Sequence, residues 1–440
     1  MLKLSLQQAR NLHLAAQGLL VPARARATRK AVRAAIERMR LLQIDTIHVV
    51  ARSPYLVLFS RLGDYEPRWL DEALAHADIF ECWAHEACFA PIGDLGLHRH
   101  PSPIRTGHWA HKSAARMQRE HRAEVAALIE HVRANGAVKS SDFERQIKGV
   151  GGWWNRSNEK RWLEAGFVLG ELMIARRENF QRVYDLSERV LATARARARA
   201  NIQVANGPKG ARQDGASKAP SIDADTRLDE ADIRREFLVG AVRALGITQA
   251  RWIDDYFRLY KKFKDAALEP HVESGELIRV EVRGWENPGY VHRDHAPLLA
   301  RAARGALRAT HTALLSPFDP VVWHRERAST MFGFDYTIEC YVPGHKRRYG
   351  YFVLPVLHRG RLIGRLDAKA HRSSGEFEIK AIFLEPEVEP DAALLADVAT
   401  AIQRAADWHA APRVVVRRSE PKAFAAKLRS ALGALAGGQA

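Results

Sequence analysis

Apolar positions recur at threes and fours from Ser5 to Leu20 and again from Thr28 to Leu42, predicting two helices before the period gives way to the short β-branched run QIDTI. Helical spacing resumes to about Leu62 and through EPRWLDEALAHA. Two alternating runs, IFECWAH and ACFAPI, then close the segment as a strand pair. Helix, short strand, two helices and a hairpin is the order of a winged helix.

The same order returns twice. The second segment reads as a helix from about His121 to Ala134, a strand AVKSS, a helix SDFERQI, the Gly/Trp loop KGVGGWW, a helix from Glu159 to Leu172, and strands ELMIARR and FQRVYDL turning at Glu178 and Asn179. The third runs from the helix DEADIRREFLVGAVRALG through the strand ITQ, the helix ARWIDDYFRLY and the basic run KKFK to strands LIRVEVRGW and GYVHRD. Beyond about Leu314 alternation takes over. YTIECYV, YGYFVLPVL, RLIGRLDAKA and EFEIKAIFL predict an antiparallel meander or small barrel, followed by the helix DAALLADVATAIQRAADWHA.

This pattern predicts an α+β chain of three tandem winged-helix domains and a C-terminal β domain. The expected boundaries are 1–110, 111–193, a flexible insertion at 194–227 poor in apolar residues, 228–304, 305–410, and a basic, partly helical, loosely attached tail at 411–440.

Composition adds a partner. Lys and Arg total 68 against 51 Asp and Glu, a formal charge of +17, on a chain that is 47% hydrophobic. A folded protein this basic is suited to nucleic acid or an anionic surface. Its basic residues are spread over several segments rather than along one amphipathic stripe, and no apolar run approaches the length that crosses a bilayer, which disfavours a membrane role. Three cysteines point to a reducing, cytoplasmic setting. Polar residues interrupt the N-terminal stretch, which reads as an amphipathic helix rather than a signal peptide.

Within LLQIDTIHVV, Gln43 and Asp45 are two apart, so on a strand both project from one face while Ile44 packs inward. The preceding VPARARATRKAVRAAIERMR has seven Arg or Lys residues against the single Glu37, and Arg52 and Ser53 follow. A carboxylate in such a region repels phosphates and is a poor choice of residue there unless its charge serves a reaction. The second cluster, PGHKRRYGY, gathers His345, Lys346, Arg347 and Arg348 beside two tyrosines at a hairpin tip, a finger suited to a nucleic-acid groove. Third, GVGGWWNRSNEKRW lacks the features of a dinucleotide or P-loop motif; Trp153 and Trp154 read as packing anchors, with Arg156 and Lys160 placed to touch DNA backbone. Cys82, His85 and Cys88 recur at threes without paired C-x-x-C units, on strands where the three side chains are not expected to share a face. No metal or cofactor is implied.

LLQIDTIHVVARSPYLVLFSRLGDY, GGWWNRS with GELMIARRENFQRVYDL, DYFRL, GWENPGYVH and LLSPFDPVVWHRERASTMFGFDYTIECYVPGHKRRYGYFVLP together resemble the YcaQ/AlkZ-like DNA glycosylases. Gln43-Ile44-Asp45 matches the Q-x-D form of that family's motif, the YcaQ type, rather than Q-x-Q. The resemblance implies three winged helices forming a concave basic surface, a DNA-probing hairpin, Gln43 and Asp45 as catalytic residues, and excision of cationic N7-alkylated purines with unhooking of interstrand crosslinks. The implied partner is damaged double-stranded DNA, bound by a monomer at the bacterial nucleoid. The competing reading is a non-catalytic winged-helix transcription regulator, for which Asp45 has no use.

Overall fold

In a computed structural model the chain is described over residues 1–143, 158–205 and 229–437. The first segment contains β1 (Leu2–Leu4), α1 (Leu6–Ala16), α2 (Arg29–Met39), β2 (Leu42–Gln43), α3 (Ser53–Leu62), α4 (Arg68–Ala75), β3 (Ile79–Trp83) and β4 (Ala87–Pro91). Next come α5 (Leu95–Arg99), α6 (Pro103–Thr106), α7 (Trp109–Glu120), α8 (Arg122–Asn135), β5 (Val138–Lys139), α9 (Asn158–Leu169), β6 (Leu172–Glu178), β7 (Gln181–Leu186) and α10 (Ser187–Ala205). The third segment holds α11 (Glu230–Leu245), α12 (Ile253–Tyr256), α13 (Glu269–Glu273), β8 (Leu277–Val282), β9 (Gly289–His292) and α14 (Ala296–Ala303). The remainder is β10 (Thr312–Leu314), α15 (Arg325–Phe332), β11 (Val353–His358), β12 (Arg361–His371), β13 (Glu376–Leu384), α16 (Ala392–Trp408), β14 (Arg413–Val416), β15 (Ser419–Glu420) and α17 (Lys422–Gly437).

Helix starts follow the expected capping chemistry. Ser5 Oγ accepts the Gln8 N–H and Gln8 Oε1 accepts the Ser5 N–H, a reciprocal box at α1. Thr28 and Asp391 cap α2 and α16 in the simpler way.

Three small sheets have the orders β2-β4-β3, β5-β7-β6 and β1-β8-β9, and a fourth has six strands. The alternation that predicted hairpins is confirmed at β3-β4, β6-β7 and β8-β9, each antiparallel. The chain's first strand lies elsewhere than its sequence position suggests. Leu2 to Leu4 pair in parallel with Val280 to Val282, and Leu12 and Leu14 of α1 share a core with Trp252, Val291 and Leu299, so residues 2–16 complete the third sheet.

The C-terminal sheet is a curled meander of β10 to β13, with a register shift between Asp367 and Ala368 where β12 bends, extended by β14 and β15 in parallel with β13. Two expectations are overturned here. YTIECYV forms no strand, for reasons given below. The segment after residue 410 is firmly attached, because β14 and β15 join the sheet and Phe424, Leu428 and Leu432, spaced four apart on α17, bury against α16. The expected insertion at 194–227 likewise begins inside a helix, since α10 continues to Ala205; residues 206–228 lie outside the described residues.

Two ion clusters, each built on a buried carboxylate, join the segments. Glu81 on β3 accepts from Arg177 at 2.5 and 2.9 Å and from Arg182 at 2.9 Å, fastening the first sheet to the β6-β7 hairpin. Arg61 of α3 makes a paired contact with Asp319, at 2.6 and 3.0 Å, and donates to Gln17 O. The SPFDP motif thereby clamps α3 to the end of α1.

Candidate active site

The β2 ladder ends at Gln43, earlier than the run QIDTI suggests. Asp45 Oδ1 accepts the Ile47 N–H at 2.8 Å, a local turn that competes with strand pairing and breaks it. Asp45 therefore lies beyond the strand that Gln43 ends, and the single strand expected to carry both is not formed. Gln43 is buried, with no donor to its Oε1 among the described residues, whereas Asp45 is half-buried at the edge. A buried amide acceptor without a partner, two residues before a carboxylate fixed at one oxygen, can be completed by a water molecule or a sugar hydroxyl.

The electrostatics also differ from expectation. Burial pushes the Asp45 carboxyl above its usual range, with the Ile47 N–H opposing. Three of the preceding cations are engaged elsewhere: Arg29 with Glu72, Arg33 with Asp78, and Arg40, left-handed at φ 58, with Asp94. Asp45 thus carries charge that its neighbours do not neutralise.

A second carboxylate was missed by the sequence reading. Gln43 pairs with Cys88 and the Ile44 N–H donates to Ala87 O at 2.7 Å, so Asp45 and Glu86 leave the end of one antiparallel ladder together. Burial raises the Glu86 carboxyl too, partly offset by Arg258, whose Nη2 lies 3.2 Å from Glu86 Oε1 and whose Nε donates to His85 O. The available signal was the register itself, once QIDTI is paired with HEACF.

Cys340 and Tyr341, which lead into the basic loop, both lie within the electrostatic reach of Asp45. That loop is not the tip of two long strands. Glu339 Oε1 accepts the Arg348 N–H at 3.1 Å, and Oε2 accepts those of Tyr349 and Gly350 at 2.8 and 3.0 Å. Arg347 Nε donates to Glu339 O and Val342 O. These bonds consume the backbone groups that strand pairing of YTIECYV needs. His345, Lys346 and Arg348 are exposed, Arg348 over the Tyr349 ring at 4.8 Å, while Arg347 is half-buried over Tyr351 at 4.9 Å.

The other expected contacts disperse. Arg52 lies at the start of α3 with its guanidinium 4.3 Å from the Phe180 ring. Ser53 is fully buried, its hydroxyl 2.9 Å from that of Ser316, and cannot reach DNA. Lys160 is on α9, which packs with α7 and α8. Trp153, Trp154 and Arg156 lie outside the described residues. Cys82 and Cys88 do share a face, as direct cross-strand partners, but that face is core, and His85 stacks on Trp323 at 4.2 Å. Among the described residues no group of three or more His, Cys, Asp or Glu is placed to hold a metal, and no helix is long and apolar enough to cross a membrane.

A family model described as DNA glycosylase AlkZ-like matches residues 36–408. Among solved structures, the fold is similar to that of Streptomyces sahachiroi DNA glycosylase AlkZ, with a TM-score of 0.58 at 17% identity, covering 94% of this chain and 99% of that one. At that identity the likeness speaks for the fold.

Proposed function

The chain belongs to the AlkZ-like DNA glycosylase family, and from that premise we propose that it hydrolyses the N-glycosidic bond of cationic N7-alkylated purines in duplex DNA, unhooking interstrand crosslinks among them, and leaves an abasic site. Gln43-Ile44-Asp45 places it with the Q-x-D members. The three small sheets with their helices are read as winged helices that line a basic cleft, and His345, Lys346, Arg347 and Arg348 as its probing loop.

The observation that carries this reading is the Asp45 carboxylate, partly desolvated, fixed through one oxygen and without a neighbouring counter-cation. A purine alkylated at N7 is already cationic and departs neutral, so no general acid is required. Charge develops on the deoxyribose as an oxocarbenium ion. A carboxylate set in place beforehand stabilises that ion and orients or deprotonates the attacking water. Gln43, buried below, accepts a hydrogen bond from the water. With no covalent step there is no strand cleavage. A crosslinked base is tethered to the opposite strand and cannot swing into a closed pocket, which suits a residue at an open ladder end.

Duplexes bearing 7-methylguanine or a nitrogen-mustard crosslink, treated with alkali after incubation, test it. Wild type gives strand breaks and Asp45→Asn does not; background breaks with wild type, or equal breaks with the mutant, sink the assignment. Base release should also fall on acidification at a pH above the usual carboxylate range, because Asp45 must be ionised to act and burial raises its pKa. The same burial makes the ionised group a cost to the fold at neutral pH, so Asp45→Asn should melt at or above the wild-type temperature.

A further inference from the structure

Tyr341 is 82% exposed, the most exposed large hydrophobic side chain among the described residues, and it stands in a loop closed by Glu339 and Arg347. Arg347 Nε grips the carbonyls of Glu339 and Val342, the residues two before and one after Tyr341. An aromatic ring on a loop fixed from both sides spends no ordering entropy when something packs on it. In the same chain every other tyrosine except Tyr260 and Tyr351 is at least half-buried, and Tyr351 carries the Arg347 guanidinium over its ring.

The surroundings identify the occupant. His345, Lys346 and Arg348 are exposed a few residues on. Although its ring projects into solvent, the protein around the hydroxyl end, then Cys340, then the Asp45 carboxylate, hold the Tyr341 phenol above its ordinary range, with Glu86 adding to the effect. The phenol therefore lies within the electrostatic reach of both carboxylates at the ladder end. Cations that neutralise phosphates, interleaved with an unsupported aromatic face, form the pattern used to stack nucleobases. A planar surface beside a carboxylate that stabilises a sugar cation fits a base adjoining the reacting nucleotide.

We propose that Tyr341 is a stacking residue, its ring packing on the face of a nucleobase next to the damaged nucleotide when DNA occupies the cleft. This rests on the reading of Asp45 as the reacting carboxylate, and it adds a positioning role for a residue outside the Q-x-D motif. Stacking is indifferent to base identity, so Tyr341 contributes affinity and register rather than sequence preference.

The test uses the full chain and a duplex in which 5-iodouracil flanks a tetrahydrofuran abasic analogue, a probe with no scissile base. Long-wavelength irradiation should crosslink the wild type and Tyr341→Phe, with the adduct mapping to position 341. Tyr341→Ala should lose the adduct and bind about tenfold more weakly, with an unchanged salt slope because no phosphate contact is removed. Lys346→Ala should do the opposite, lowering the slope by about one while keeping the adduct. An adduct mapped elsewhere, wild-type affinity of Tyr341→Ala, or Tyr341→Phe behaving like Tyr341→Ala overturns stacking. None of these readouts requires base release, so failure of the Asp45 assignment in the alkali assay is a separate result.

Discussion

Two turns in this protein have nearly the same ingredients and opposite fates. The β6-β7 turn, Arg176 to Arg182, and the loop from Glu339 to Tyr351 each combine arginines, an aromatic and a nearby glutamate. In the first, Phe180, at φ 68, is held between the guanidiniums of Arg52 and Arg177 at 4.3 and 4.4 Å, while Arg177 and Arg182 turn inward to Glu81. In the second, Glu339 binds backbone N–H groups, and most of the cations and Tyr341 remain outside. The position of the carboxylate decides between them. Buried on a neighbouring strand, it draws arginines in and makes the turn a joint; inside the loop itself, it shapes the backbone and leaves the side chains for a partner.

The sharpest way to break this contrast is Glu81→Ala. It strands two nearly buried guanidiniums, so unfolding stability should drop by about 3–5 kcal/mol by denaturant titration. A loss under 1 kcal/mol would mean that the joint is held by apolar packing instead. Glu339→Gln should cost less, about 1–2 kcal/mol, because the loop is half-exposed. Burial pushes the Glu339 carboxyl up, and the N–H groups of Gly350, Tyr349 and Arg348 with Arg347 more than offset it, leaving it below its ordinary 4.5. A depressed folded-state pKa contributes stability that is complete above the unfolded value and is lost as pH falls through the folded one. The wild-type advantage over Glu339→Gln should therefore vanish below the normal carboxylate range, as thermal melts across pH would report. Smallest is Phe180→Ala, about 1 kcal/mol for the lost cation–π sandwich, with Phe180→Gly costing less because glycine relieves the positive φ. Equal losses for the two would deny strain at that turn.

The same contrast explains what the sequence could and could not reveal. Strand alternation identified both flanks of the β6-β7 turn, yet nothing in RRENFQR announces that Arg177 and Arg182 reach a glutamate about a hundred residues earlier. YTIECYV alternates well enough to read as a strand, and only the capture of three N–H groups by Glu339 removes it. Gln43 and Asp45 were legible as residue types at a meaningful spacing, but the turn at Ile47 that ends the strand before Asp45 arises from a side chain competing with the ladder, which periodicity does not weigh. Glu86 went unseen because its relevance is a matter of register. The tail misled through composition: its charge dominates a count, while three apolar residues at helical spacing decide its packing.

The parallel pairing of Leu2 with Val280 has a consequence for synthesis on the ribosome. At about 5–20 residues per second, and with about 280 positions between the partners, residues 2–16 wait roughly a quarter of a minute to a minute before their sheet exists. Until then the apolar face of α1 lacks the sheet and the later core residues that cover it, and is available to chaperones. The third small sheet is thus the last of the three to close although it contains the earliest strand, and a nascent chain arrested before β8 holds an unpaired Leu-Lys-Leu edge that a completed chain conceals.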